Sequence, residues 1–225
     1  MLEERVIGGK TCRLFGAEAP RWLLVQPSAR HETASLEEEA QHLAAFSKVP
    51  FLLVTIELDD WTVELLPWPD GNISRDPEAG KHGQDTLQYI LQELIPTLQR
   101  QYGPLPVVLG GYSLGGLFAL WASYQTDAFA AVGAASPSVW VHGWLPFARK
   151  QMPLAGRIYL SLGDREENVK NQAIARVGDT LRGYYDLLQQ QIGSERSTLV
   201  WEPGGHFSDN AARLARAFAW CLPAD

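Results

Sequence analysis

The chain is poor in the residues that build metal and redox centres. Its 225 residues include two cysteines, Cys12 and Cys221, which form no metal or redox motif. They read as reduced thiols, with a mutual disulfide as the lesser alternative. Five histidines (His31, His42, His82, His142 and His206) show neither an HExxH pattern nor paired-ligand spacing, so no metal and no other cofactor is expected. Basic residues are also scarce: 19 Lys and Arg face 26 Asp and Glu, for a formal net charge of −7, and no basic run offsets this. Nucleic acid is therefore not an expected partner. No apolar stretch approaches the roughly 20 residues that a membrane-spanning helix needs. The N-terminus, Met1-Leu2-Glu3-Glu4-Arg5, carries acids where a secretory leader has bases and then an apolar core, so a cytoplasmic location is the expectation. There is no internal repeat and no low-complexity tract, and the length suits one large α/β domain over residues 1–225.

What is present is an alternation of apolar runs with helical patterns, the order of a mainly parallel sheet covered by crossover helices on both faces. Arg21 to Gln26 predicts a strand ended by Pro27, and Phe51 to Ile56 predicts a second. Between them, Ser35 with Glu38 suggests a capping box ahead of Leu36, Ala40 and Leu43. Residues 57–83, with Pro67, Pro69, Gly71, Pro77 and Gly80, read as a long irregular segment bordering a pocket. A helix follows with Leu87, Ile90, Leu94, Leu98 and Tyr102 on one stripe; Pro96 should kink or split it. Further strands are expected at 105–110, 129–134, 157–162 and 198–201, a second irregular segment at 136–152, and helices around Ile174–Leu188 and Leu214–Cys221.

One turn in this pattern carries chemistry. Gly111-Tyr112-Ser113-Leu114-Gly115 joins an apolar strand to a helix and matches the G-x-S-x-G nucleophile elbow. Glycines flank the serine because the turn is tight and a side chain at either place would collide with strand or helix. The turn lifts the Ser113 hydroxyl above the sheet and aims the Leu114 N–H at a developing oxyanion. An unassisted hydroxyl is a poor nucleophile; it needs a base, and the base needs an acid. His206, in Pro203-Gly204-Gly205-His206-Phe207 between the last strand and last helix, is the candidate base. His142 is the only other histidine after Ser113, and it precedes the acid candidates, which breaks the chain order Ser, acid, His. The acid lies in Leu162-Gly163-Asp164-Arg165-Glu166-Glu167; Glu166 is the first choice, with Asp164 and Glu167 as rivals. A second oxyanion donor is expected after the strand ending near Gln26, at Ser28 in preference to Gln26, since Pro27 has no N–H. Trp61, Trp68, Trp140 and Trp144 fall in the irregular segments. Packing is the default reading for each, with Trp140 assigned to substrate contact.

With these loops in hand, the chain resembles the putative-esterase family of α/β-hydrolases, which includes enterochelin esterases, feruloyl esterases and S-formylglutathione hydrolases. The resembling blocks are Gly110-Gly111-Tyr112-Ser113-Leu114-Gly115-Gly116, Ala135-Ser136-Pro137-Ser138-Val139-Trp140, Gly163-Asp164-Arg165-Glu166 and Gly204-Gly205-His206. The resemblance implies cleavage of a small-molecule ester or thioester through an acyl-enzyme, with Ser113 as nucleophile, His206 as base and Glu166 as acid. It differs in that the pocket region lacks an arginine cluster suited to an anionic ferric siderophore. Acyl transfer on the same machinery, and a binding protein on a non-catalytic hydrolase fold, are the competing functions. Acyl and alcohol specificity and the oligomeric state are not encoded in any motif.

Overall fold

A computed structural model of the chain describes residues 2–29 and 33–223; Met1 and His31 lie outside the described residues. Eight strands form one sheet in the order β1-β2-β4-β3-β5-β6-β7-β8. The strands are β1 (Leu2–Ile7), β2 (Lys10–Gly16), β3 (Trp22–Ala29), β4 (Phe51–Leu58), β5 (Val107–Tyr112), β6 (Ala131–Ala135), β7 (Arg157–Gly163) and β8 (Ser197–Glu202). From β4 to β8 the pairing is parallel; β1 and β2 are added antiparallel at one edge. The expected fold class, a single α/β domain with a mainly parallel sheet between helices, is what the structure has.

The parallel strands are unbroken apolar runs because both of their faces are buried. Successive side chains point to opposite faces. Leu23, Val25, Leu52, Val54, Ile56, Val107 and Leu109 join the core on one side. Leu24, Phe51, Leu53 and Val108 join the core on the other. The second face is closed by α1 (Thr33–Phe46) and α9 (Asn210–Cys221), which pack against each other and put Leu36, Leu43, Leu214 and Phe218 onto the sheet. The first is covered by α2 (Trp61–Leu65), α3 (Gly83–Tyr89), α4 (Ile95–Tyr102), α5 (Leu114–Ala122), α6 (Trp144–Ala148) and α8 (Val177–Ile192), with the short α7 (Gln172–Ala175) leading into α8 and burying no side chain.

Several local expectations are corrected. Pro27 does not end its strand: β3 runs on to Ala29. Leu23 N–H donates to Pro106 O beside β5, so residues 23, 25 and 27 turn their amides toward β5. The last β3–β5 pair is Val25 with Leu109, so the missing proline N–H falls where no ladder bond is due. Helix α1 starts at Thr33, which places Ser35 inside the first turn and not at the cap. Pro96 falls in the first turn of α4, and the run is divided just before it, as expected. The division takes the form of a π-helical turn at Ile90–Leu94 between α3 and α4, which accommodates the missing N–H and the ring. The helix expected through Ile174–Leu188 divides into α7 and α8 at Arg176.

The 57–83 segment contains α2, capped by Asp60, whose Oδ1 accepts from the N–H of Thr62 (2.8 Å) and Val63 (2.9 Å). The 136–152 segment contains α6, and the two segments are tied together. Asp70 Oδ2 accepts from His142 N–H (2.8 Å), and Trp68 Nε1 donates to His142 O (2.8 Å).

Candidate active site

Strand β5 delivers Ser113 at its carboxyl end, and α5 starts one residue later. Ser113 adopts φ 55°, ψ −116°, a conformation that a non-glycine residue holds only when its surroundings impose it. The approach of helix to strand imposes it here: a Cβ on Gly111 would stand 2.3 Å from the Gly115 carbonyl carbon. Leu114 is the first residue of α5, so its N–H has no partner inside the helix.

Histidine and acid loops run side by side. Asp164 N–H donates to Glu202 O (2.8 Å), Arg165 N–H to Gly204 O (3.1 Å), and Gly204 N–H to Asp164 Oδ1 (2.8 Å). Together they bring His206 between Ser113 and Glu166. Its Nε2 is 3.0 Å from Ser113 Oγ and its Nδ1 is 2.7 Å from Glu166 Oε2. An ionised carboxylate only accepts, so Nδ1 carries the proton and Nε2 is left to accept from the serine.

Of the three candidate acids only Glu166 is buried, 4 % exposed. Its Oε1 accepts from Ser136 Oγ (2.7 Å), Gly163 N–H (2.7 Å) and Arg213 Nη1 (3.0 Å). Burial pushes the carboxyl up, but hydrogen bonds from His206, Ser136 and Gly163 outweigh that and hold it below its ordinary value. Glu167 instead pairs with Arg182 on α8 (3.0 Å), and Asp164 is taken up by Gly204.

The remaining expected residues divide. Trp140 lines a cavity of about 340 Å³ with Ser113 and His206. Trp144 is fully buried against Trp68, Phe147 and Tyr184 and belongs to the core. Trp61 lines a separate cavity of about 450 Å³ that shares Phe207 with the first. Ser28 is fully buried and does not line the Ser113 cavity among the described residues. By the alternation that turns Leu23 toward β5, the Ser28 amide faces β4, where its register partner is Glu57. The next amide on the β5 side belongs to Ala29.

Four residues around the site had no assigned role in the motifs. Ser138 Oγ lies 3.3 Å from Ser113 Oγ, and Ser136 holds Glu166. Tyr112 OH donates to His206 O (2.7 Å). Arg213 reaches Glu166 from α9. A signal existed for Arg213: it sits on the stripe of Leu214, Ala217, Phe218 and Cys221, where a charge needs a buried counter-charge. Among the described residues no cluster of three or more His, Cys, Asp or Glu could hold a metal ion, and no helix is long and apolar enough to cross a membrane.

The family model described as "Putative esterase" matches residues 44–206, well over half of the chain and inclusive of Ser113, Glu166 and His206. The chain belongs to the putative esterase family. No curated protein sequence matches this esterase-family chain. Among solved structures, siderophore hydrolase EstB from Aspergillus nidulans superposes with a TM-score of 0.74 at 16% identity, covering 100% of this chain and 96% of that one. An IroE-like serine hydrolase from Shewanella oneidensis gives 0.75 at 14% identity, over 98% and 79%. The enterobactin esterase FES from Shigella flexneri gives 0.67 at 20% identity, over 98% of this chain and 58% of that one. At these identities the likenesses show the shared fold.

Proposed function

We propose that this protein is a serine esterase that cleaves a carboxylic ester through an acyl-enzyme. The observation that carries the reading is the continuous relay from Ser113 Oγ through His206 to buried Glu166, at 3.0 and 2.7 Å. Membership of an esterase family supports the reaction class. In the proposed cycle His206 Nε2 takes the Ser113 proton as Oγ attacks the ester carbonyl. The Leu114 N–H stabilises the oxyanion, while strand alternation turns the Ser28 amide, the expected second donor, toward β4. The tetrahedral intermediate then collapses: His206 returns the proton to the departing alkoxide, which leaves as the alcohol. Water, deprotonated by the same imidazole, then adds to the acyl carbonyl; the acyl–Oγ bond breaks, the imidazolium returns the proton to Ser113 Oγ, and the acid leaves. His206 is a third exposed, so a nucleophile from solvent can reach the base.

The cavity wall suggests the kind of ester. Val169, Ile174, Val177 and Trp140 make it apolar, and Phe207, 89 % exposed, stands at its mouth. A compact apolar or aromatic group next to the scissile carbonyl fits this wall. Arg165 is the one lining cation among the described residues. Kinetics on aryl, short-chain acyl and thioester substrates test the proposal alongside fluorophosphonate labelling. Ser113→Ala should abolish labelling and cut kcat by several orders of magnitude. Full turnover in that variant overturns the assignment.

A further inference from the structure

Arg213 is a charged side chain with no solvent exposure, and it belongs to none of the motifs around Ser113. Its Nη1 lies within hydrogen-bond reach of Glu166 Oε1 (3.0 Å), Ser136 Oγ (3.3 Å) and Tyr112 OH (3.3 Å); its Nη2 donates to Pro203 O (2.7 Å). These acceptors come from four segments: the end of β5 just before Ser113, the turn after β6, the acid loop after β7 and the histidine loop after β8. A single guanidinium on α9 therefore touches every loop that contributes to the relay.

Resting on the esterase reading, we propose that Arg213 is a positioning residue of the reaction, fixing where Glu166 sits and how much negative charge it offers His206. Glu166 Oε1 is saturated by Ser136, Gly163 and Arg213, which leaves Oε2 as the oxygen free to hold Nδ1–H. The guanidinium's planar fork puts a cation against the far carboxylate oxygen, 3.0 Å away. Glu166 favours the positive charge that His206 acquires during attack, and Arg213, on the far oxygen, opposes it. The relay is thus held in place by a cation that also tempers it.

Few other groups share this environment. Tyr112 donates its phenol proton to His206 O, and burial pushes that phenol up, so it remains a donor. Asp164 accepts from Gly204 N–H, Arg165 lies at the cavity wall, and Asp209 precedes α9. One turn on, Arg216 is engaged by Glu202 (2.7 Å). Among the described residues Arg213 is the only arginine or lysine bonded to Glu166.

The test compares wild type, Arg213→Lys and Arg213→Met, with kcat and KM for p-nitrophenyl acetate measured across pH and fluorophosphonate labelling rates in parallel. Lysine keeps the charge but cannot reach all four segments, so kcat should fall roughly 3–10-fold with KM unchanged and the acid limb of kcat/KM unmoved. Methionine removes the charge. Its kcat should fall about 100-fold, and the acid limb should move to higher pH by about half to one unit, because the imidazolium is no longer opposed. Equal losses in both variants with an unmoved acid limb would show a purely structural role and overturn the proposal, as would an unchanged kcat in either. If Arg213→Met does not fold, Arg213→Lys decides alone: a loss confined to kcat supports the role, and a loss confined to KM or none at all ends it. A wild type that labels at Ser113 while both variants behave like it sinks the Arg213 role alone. A wild type that does not label sinks the esterase reading beneath it.

Discussion

Glu166, Glu167 and Asp164 sit within four residues of one another, and their fates differ by burial. Glu166 turns inward to four donors; Glu167 turns outward to Arg182, whose guanidinium also lies 4.8 Å over the Trp201 ring; Asp164 spends its carboxylate on the neighbouring loop. Replacing Glu166 by Gln keeps the shape but removes the charge and offers an N–H where only an acceptor serves. Steady-state kinetics should show kcat reduced about 10³–10⁴-fold, the range seen when a relay acid is neutralised. Glu167→Gln should stay within a few-fold of wild type, and Asp164→Asn should cost more than that only through loop placement. An Asp164→Asn loss as large as that of Glu166→Gln would move the acid assignment. The loop was legible in the sequence from Gly163 and its place after a strand. Which acid turned inward was not, because three charges in a row carry no mark of which one the fold buries.

At the scale of elements, the apolar runs and the elbow were readable because a doubly buried strand admits little else. What escaped depended on partners distant in sequence. Pro27 looked like a terminator until the β5 ladder proved to end before it. The hairpin of β1 and β2 did leave a sign in Gly8-Gly9, both at positive φ, a pair suited to a two-residue turn between strands. The elbow gives the sharpest mutational test of an element. A Cβ on Gly111 would meet the backbone of Gly115 and Gly116 at 2.3–2.8 Å, and neither can retreat without moving α5 off the sheet. Gly111→Ala should destabilise the protein by about 1–3 kcal/mol or more in urea unfolding. Gly205→Ala, where an added methyl meets nothing within 4 Å, should leave the same midpoint within about 0.5 kcal/mol. Equal midpoints for the two would refute the packing account of the elbow.

Across the whole molecule, the sheet gathers at one edge groups that are remote in the chain, and their electrostatics couple the site to global stability. Glu166 is held below its ordinary carboxylate value in the fold, so its stabilising contribution is complete above the unfolded value, near 4.5, and disappears as pH falls through the lower folded one. Exposed acids such as Glu3 and Glu78 are lowered too, by Arg5 and Lys81, but they are common to wild type and Glu166→Gln and cancel in a comparison. In the variant, Arg213 lacks its carboxylate at every pH; in wild type it loses that partner's charge only in acid. Urea midpoints measured from pH 7 down to pH 3 should therefore show wild type well above Glu166→Gln at neutral pH, with the gap closing below about pH 4.5. A gap that stays constant or widens on acidification would mean that Glu166 is not ionised against Arg213 and His206 in the folded protein, and the charge arrangement drawn for the relay would have to be abandoned.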